Sequence, residues 1–157
     1  MSERSWSIRD LELAHRRVAV DANVLIYLLQ GDELRGERAR AVIDAVEQGR
    51  LSGVLATVGG LEVLTGPAKA RDQAGFERTA EEVRSLPLQL VGLSASIAED
   101  AAWLRGSDGL SMADAIHVAS ARAAGATALI TNDRRIRAQA NLDVFYLDDL
   151  ALEQPLP

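Results

Sequence analysis

Four acidic side chains stand out by their surroundings. Asp21 ends the run Arg17-Val-Ala-Val, Glu62 is the only charge between Leu51 and Thr65, Asp114 follows Ser111-Met-Ala, and Asp133 closes Leu129-Ile-Thr-Asn. A lone acid in an apolar stretch is unusual, because burying an unpaired carboxylate is expensive. The four are too far apart in sequence to meet on one helix or turn, so only a tertiary fold can gather them. Two carboxylates about 4 Å apart repel by roughly 4 kcal/mol at an effective dielectric of 20. A cluster therefore demands raised pKa values or a cation. Mg²⁺ or Mn²⁺, as one or two hard ions that prefer oxygen ligands, is the natural occupant. Such an ion polarises a phosphodiester, acidifies a bound water and neutralises charge on the leaving oxygen. Metal-assisted hydrolysis of a phosphodiester is the most economical reaction for this set.

Each acid also has a plain structural reading. Asp21 suits a strand-to-helix cap, Glu62 a solvated helix position, Asp114 the far end of a capping box opened by Ser111, and Asp133 a turn. For Asp114 the two readings are compatible, since a carboxylate in the first helical turn can face a site while Ser111 caps. His117, one turn after Asp114, reads as a core or edge-of-core residue rather than a proton donor or ligand, because Ile116 and Val118 flank it. Arg134, Arg135 and Arg137 follow the fourth acid directly and suit phosphate steering or, equally, the solvated face of a short helix. Arg35, Arg38, Lys69 and Arg71 read as solvated surface.

The elements that must position these residues alternate between strand-like and helix-like patterns. Arg17 to Asp21, Leu51 to Thr57, Leu88 to Leu93, Ala128 to Thr131 and Val144 to Leu147 are the strand candidates. Helices are expected from Asn23 to Gly31, from Gly36 to Gln48 with Gly49 in the C′ place, and around Leu61 to Leu64 with a stop at Gly66-Pro67. Others run from Phe76 to Leu86, from a Ser96-x-x-Glu99 capping box to Leu104, and from Ser111 to Ala124. Strands alternating with helices imply βαβ units, hence an α/β fold with a mostly parallel central sheet of about four or five strands and helices on both faces. Ligands in such folds sit beyond the carboxyl ends of the strands. Asp21 and Asp133 should therefore emerge at the same sheet edge.

Composition sets outer limits. A chain of 157 residues without a long linker or internal repeat fits one domain with one substantial core. The absence of cysteine excludes disulfides, thiolate zinc sites and cysteine nucleophiles, and suits a reducing compartment. No early stretch has the order of a signal peptide, and the longest clean apolar run, Val24 to Leu29, is far short of a membrane span. A cytoplasmic protein without membrane contact is expected. A net charge of −6 argues at first against a nucleic-acid partner; two divalent ions on the four acids would cut it to about −2. Arginine supplies 16 of the 17 basic residues, with Lys69 the exception, so phosphate contacts would mostly use guanidinium forks.

Four segments taken in order resemble the motifs of the PIN-domain ribonucleases, and most closely the VapC-type toxins of toxin–antitoxin pairs. They are Val18-Ala-Val-Asp21-Ala-Asn-Val-Leu, Gly60-Leu-Glu62-Val-Leu, Leu110-Ser-Met-Ala-Asp114-Ala-Ile-His-Val-Ala and Leu129-Ile-Thr131-Asn-Asp133-Arg. The resemblance implies a single PIN domain over 18–150, between an N-terminal lead-in of 1–17 and a C-terminal tail of 151–157. It implies that Asp21, Glu62, Asp114 and Asp133 hold one or two Mg²⁺ or Mn²⁺ ions, with Asn23 and Thr131 as polar supports beside them. It further implies RNA cleavage by water attack, a homodimer, and a small antitoxin whose tail enters the active-site groove.

Rival readings have specific requirements. Asp21-x-Asn23 after a first strand resembles haloacid-dehalogenase-type phosphatases, which need a second acid where Asn23 stands. A receiver domain wants a lysine after the last strand, and Lys69 lies too early. A PIN-like RNA- or protein-binding module without catalysis is the remaining alternative.

Overall fold

The computed structural model describes residues 5–139 and 141–153. The outer parts of the expected lead-in and tail, 1–4 and 154–157, lie outside these. Five strands, β1 (Arg17–Val20), β2 (Ser52–Ala56), β3 (Leu88–Val91), β4 (Ala128–Thr131) and β5 (Asp143–Tyr146), form one sheet in the order β3-β2-β1-β4-β5. Every pairing is parallel. The chain moves outward from β1 through β2 to β3 and then returns to the other side of β1 for β4 and β5. That reversal opens a crevice beyond the carboxyl ends of β1 and β4, the position where open α/β sheets bind ligands.

Because strand side chains alternate between faces, β1 and β4 each serve two cores. Val18, Val20, Ala128 and Ile130 enter one; Ala19 and Leu129 enter the other. The first core is covered by α1 (Ile8–Ala14), α2 (Ala22–Gln30), α3 (Glu33–Glu47), α4 (Thr57–Lys69) and α5 (Gln73–Ser85), through Leu11, Leu25, Val42, Val63 and Val83 among others. The second is covered by α6 (Ala95–Asp108) and α7 (Met112–Ala123), through Ile97, Leu104, Ala115 and Val118. Complete burial of one such leucine or isoleucine contributes about 1.5–3 kcal/mol, so the central strands are fixed from both sides.

Several helix ends differ from the expectation, each for a local reason. α4 continues through Pro67 to Lys69 instead of stopping at Gly66. A proline disfavours helical geometry in the preceding residue largely through that residue's Cβ, and Gly66 has none. α3 begins at Glu33 rather than at Gly36, because the Asp32 carboxylate accepts the Arg35 N–H at 2.9 Å. α6 is capped by Ser94, which accepts the Ile97 N–H at 3.2 Å, and extends to Asp108; Ser96 lies inside its first turn. Gly49 takes the left-handed conformation (φ +75°) that a helix C′ residue requires.

Within the expected lead-in, Ser7 and Asp10 form a reciprocal capping box that starts α1. Trp6 is buried, its indole N–H donates to the Tyr146 carbonyl at 2.9 Å, and its backbone pairs with Asp149 and Ala151. No described helix is long and apolar enough to cross a membrane.

Candidate active site

Asp21 follows β1 directly and caps α2. Its N–H donates to the Ile130 carbonyl at 2.9 Å, which carries the β1–β4 ladder one residue further. Asp21 is only 4 % exposed, yet its carboxylate is well supplied with donors. Oδ1 accepts the Ala22 N–H at 2.7 Å; Oδ2 accepts the Thr131 hydroxyl at 2.7 Å and the Asn23 amide at 3.2 Å. Thr131 ends β4, fully buried, and its oxygen also accepts the Asp133 N–H at 3.1 Å. Asn23 in turn accepts the Asn132 N–H at 3.3 Å. The polar pair expected beside the acids, Asn23 and Thr131, therefore ties the ends of β1 and β4 together around Asp21.

Glu62 projects from α4 toward α7, where its Oε1 lies 2.8 Å from His117 Nε2. The same nitrogen is 3.2 Å from Asp21 Oδ1. Ionised carboxylates only accept, so the proton on this ring is assigned to Nε2 from its two partners. His117 is buried, as its apolar neighbours imply, but the core reading missed what the ring faces. Burial pulls its pKa down, while the Glu62 hydrogen bond and the charges of Asp21, Glu62 and Asp114 push it up, and the net direction is up. The available sequence signal was position: His117 is three residues after Asp114, on the same side of α7.

Asp114 stands in the first turn of α7, where Ser111 caps as expected by accepting its N–H at 3.2 Å. Burial raises its carboxyl pKa, and repulsion from Asp21 and Asp133 raises it further against the opposing Ser111 hydrogen bond. Asp133 is held below the ordinary carboxylate value, first by its hydrogen bond from Arg135, with a smaller contribution from Asp114. The fold thus brings the four acids to one end of the sheet: Asp21 and Glu62 share His117, and Asp114 feels both Asp21 and Asp133.

The donor set fits a divalent cation. Asp21, Glu62 and His117 each offer an atom within 4.8 Å of the others, a group compact enough for one divalent ion to draw the two carboxylates onto it. Asp114 and Asp133 add hard oxygens at the same end of the sheet, close enough to influence each other's charge. Carboxylate oxygens, two of them held by the His117 N–H, make a hard donor set that suits Mg²⁺ or Mn²⁺.

The three arginines after Asp133 separate, and no helix forms there. Arg134 pairs with Asp149 through two contacts of 2.9 Å and stacks over Tyr146. Arg135 grips Asp133, with Nη2 at 2.7 Å from Oδ2 and Nε at 3.0 Å from Oδ1. Arg137 lines a polar cleft of about 520 Å³ with Asp108, Ser111, Asp114, Arg135 and Gln139. On the other flank α4 and α5 enclose an apolar groove of about 510 Å³ containing Leu61, Leu64, Phe76, Val83 and Leu90. Arg35 and Arg38, expected as solvated surface, instead bind the chain after β5: Arg35 pairs with Asp148 at 3.1 Å and Arg38 donates to the Leu150 carbonyl at 2.9 Å.

An all-parallel α/β domain with clustered carboxylates at its switch point defines the class, and the comparisons define the family. The PIN domain family model matches residues 18–142, and the chain belongs to that family. No curated protein matches it by sequence. Among solved structures it is similar to DNA-bound VapBC from Salmonella typhimurium, with a TM-score of 0.67 and 14% identity over 84% of this chain and 98% of that one. A toxin-antitoxin complex from Klebsiella pneumoniae matches at 0.59 and 22% identity, over 80% and 94% of the two chains. VapC20 of Mycobacterium tuberculosis, described as a sarcin-ricin loop cleaving toxin, matches at 0.57 and 18% identity, over 71% and 86%. At these identities the likeness establishes a shared fold.

Proposed function

We propose that the protein is a Mg²⁺- or Mn²⁺-dependent endoribonuclease in which Asp21, Glu62, Asp114 and Asp133 hold one or two ions. The observation that carries this reading is geometric: at the sheet's switch point the mutually repelling carboxylates of Asp21, from the end of β1, and Glu62, from α4, converge on His117, with buried Asp114 in the first turn of α7. Such repulsion is maintained where a cation relieves it. When bound, the ions supply Lewis-acid polarisation of the phosphodiester and an acidified water. Thr131, Asn23 and the Ala22 N–H fix the Asp21 carboxylate, so it need not reorganise when it binds. On this reading Arg137, in the polar cleft beside Asp114, receives phosphates of the flanking strand; Arg134 and Arg135, tied to Asp149 and Asp133, are less free to do so. A loop or single-stranded RNA segment suits the site better than a duplex interior, since its backbone is accessible there.

The VapBC neighbours support a further assignment, as the toxin of a toxin–antitoxin pair that acts in the cytoplasm as a homodimer and is silenced by a small antitoxin. The decisive test is cleavage of a structured RNA with Mg²⁺ or Mn²⁺. Wild type should cut only with metal, and Asp21→Asn should lose most of that activity. One observation favours the alternative of a non-catalytic PIN-like module: the acids already have internal partners in His117 and Arg135. Absence of metal-dependent cutting across loop and single-stranded substrates would favour the module.

A further inference from the structure

We infer that His117 is a positioning residue: its Nε2–H draws the Glu62 carboxylate across from α4 onto Asp21, so that the two acids form a ready-made seat for one divalent cation. The inference rests on the metal-dependent reading above and assigns a part to a residue outside the acid quartet.

Three observations carry it. The Glu62 side chain is 34 % exposed, and His117 is its one hydrogen-bonding partner among the described residues. A glutamate one-third exposed retains much rotamer freedom, which must be given up to hold it in one place. Without a donor to hold it, Glu62 would spend little time beside Asp21. The ring is the opposite case, with a side chain 1 % exposed and its nitrogen at 2.8 Å from Glu62 and 3.2 Å from Asp21. Packing alone does not account for that choice, since a leucine would fill the space without a buried polar atom to satisfy. Finally, α4 approaches this ring because position 59 lacks a side chain. A Cβ on Gly59 would lie 2.6 Å from Leu55 Cδ1 and 3.1 Å from His117 Cε1. Gly59 sits one turn before Glu62, on the same side of α4, so the bare position and the acid together form the contact with α7.

The test is calorimetric titration of the full chain with Mn²⁺, independent of RNA cutting. His117→Leu should weaken Mn²⁺ binding by about 10–100-fold, the usual cost of losing a group that orients a ligand, while its melting temperature is kept or rises. His117→Gln retains a side-chain N–H donor and should bind Mn²⁺ within about threefold of wild type. Adding His117→Leu to Glu62→Gln should cause no further loss, because His117 acts through the carboxylate that Glu62→Gln removes. If His117→Leu does not fold, His117→Met is the donorless variant. Unchanged affinity in the donorless variant overturns the inference. Equal losses with Leu and Gln overturn it too, pointing to the ring nitrogen as a direct ligand, and so do additive losses with Glu62→Gln. A wild type that neither binds Mn²⁺ nor cuts RNA removes the nuclease reading and the seat together. A wild type that does both, matched by His117→Leu, removes the seat alone.

Discussion

The acid cluster has two halves that meet the same repulsion in different ways. Asp21 and Glu62 share a protonated ring nitrogen whose side chain is 1 % exposed, whereas Asp133 shares a guanidinium that is 80 % exposed. In the inner half the imidazole N–H is packed between α4 and α7, in a low dielectric where geometry is locked and hydrogen bonds to charged groups are strong. In the outer half the guanidinium lies in solvent, where the pair is screened and can exchange partners. On the nuclease reading, the inner half decides where an ion sits and the outer half how readily ion and substrate enter.

The sharpest way to break this comparison is to neutralise one acid from each half. Asp21→Asn should slow single-turnover RNA cleavage by about 10³-fold and Asp133→Asn by only about tenfold, the difference representing lost metal stabilisation in a dry and a wet setting. Equal losses would mean that the halves are not distinct. Next in size, Thr131→Val removes a fully buried hydroxyl from Asp21 and leaves a carboxylate oxygen short of a donor. A loss of about 1–3 kcal/mol in urea unfolding is expected, and a loss below the error of the measurement would show that the inner half is less rigid than described.

Smaller effects belong outside. Arg135→Ala removes a competitor for Asp133 and should tighten Mn²⁺ binding a few-fold at low salt; the gain should vanish near 1 M salt, where the screening length is about 3 Å. Tighter binding that persists at high salt would count against an exchangeable outer cation. Arg35 and Asp148 provide a control, an exposed arginine–aspartate pair outside the acid cluster. Asp148 is held below its ordinary pKa, chiefly by the Arg35 hydrogen bond. A depressed carboxylate contributes stability above its unfolded pKa of about 3.9, and loses it as pH falls through the lower folded value. Arg35→Ala should thus lower the melting temperature slightly near neutral pH and converge with wild type in acid. Mn²⁺ should leave that difference unchanged, and a metal-dependent difference would merge the control with the outer half.

Much of this arrangement was legible in the sequence because it rests on periodicity and order. The apolar runs at Val18, Val54 and Leu129 fix strands buried on both faces, and the strand–helix alternation fixes a parallel sheet, which brings Asp21 and Asp133 to one edge. Other features depend on what lies opposite a residue in space. His117 reads as core from Ile116 and Val118 and is indeed buried; its polar role depends on α4, more than fifty residues away. Pro67 reads as a helix stop by its type, but Gly66 relieves the clash that would enforce one. Arg35 and Arg38 read as surface because nothing near them in sequence announces Asp148 and the Leu150 carbonyl. The arginines after Asp133 were legible as cations, but not as one bound to Asp149, one to an acid of the cluster and one lining the cleft.

The Trp6 clasp extends past the family pattern. The matched stretch spans 18–142, yet Trp6 and Leu11 precede it, Leu150 follows it, and all three belong to the first core. A chain shortened to begin at Val18 would unroof Phe145, whose ring Trp6 meets edge-on at 5.2 Å, and would leave an apolar flank beside the outermost strand. Such flanks invite neighbouring molecules to pair, so trimming this protein to its recognisable motifs would favour self-association.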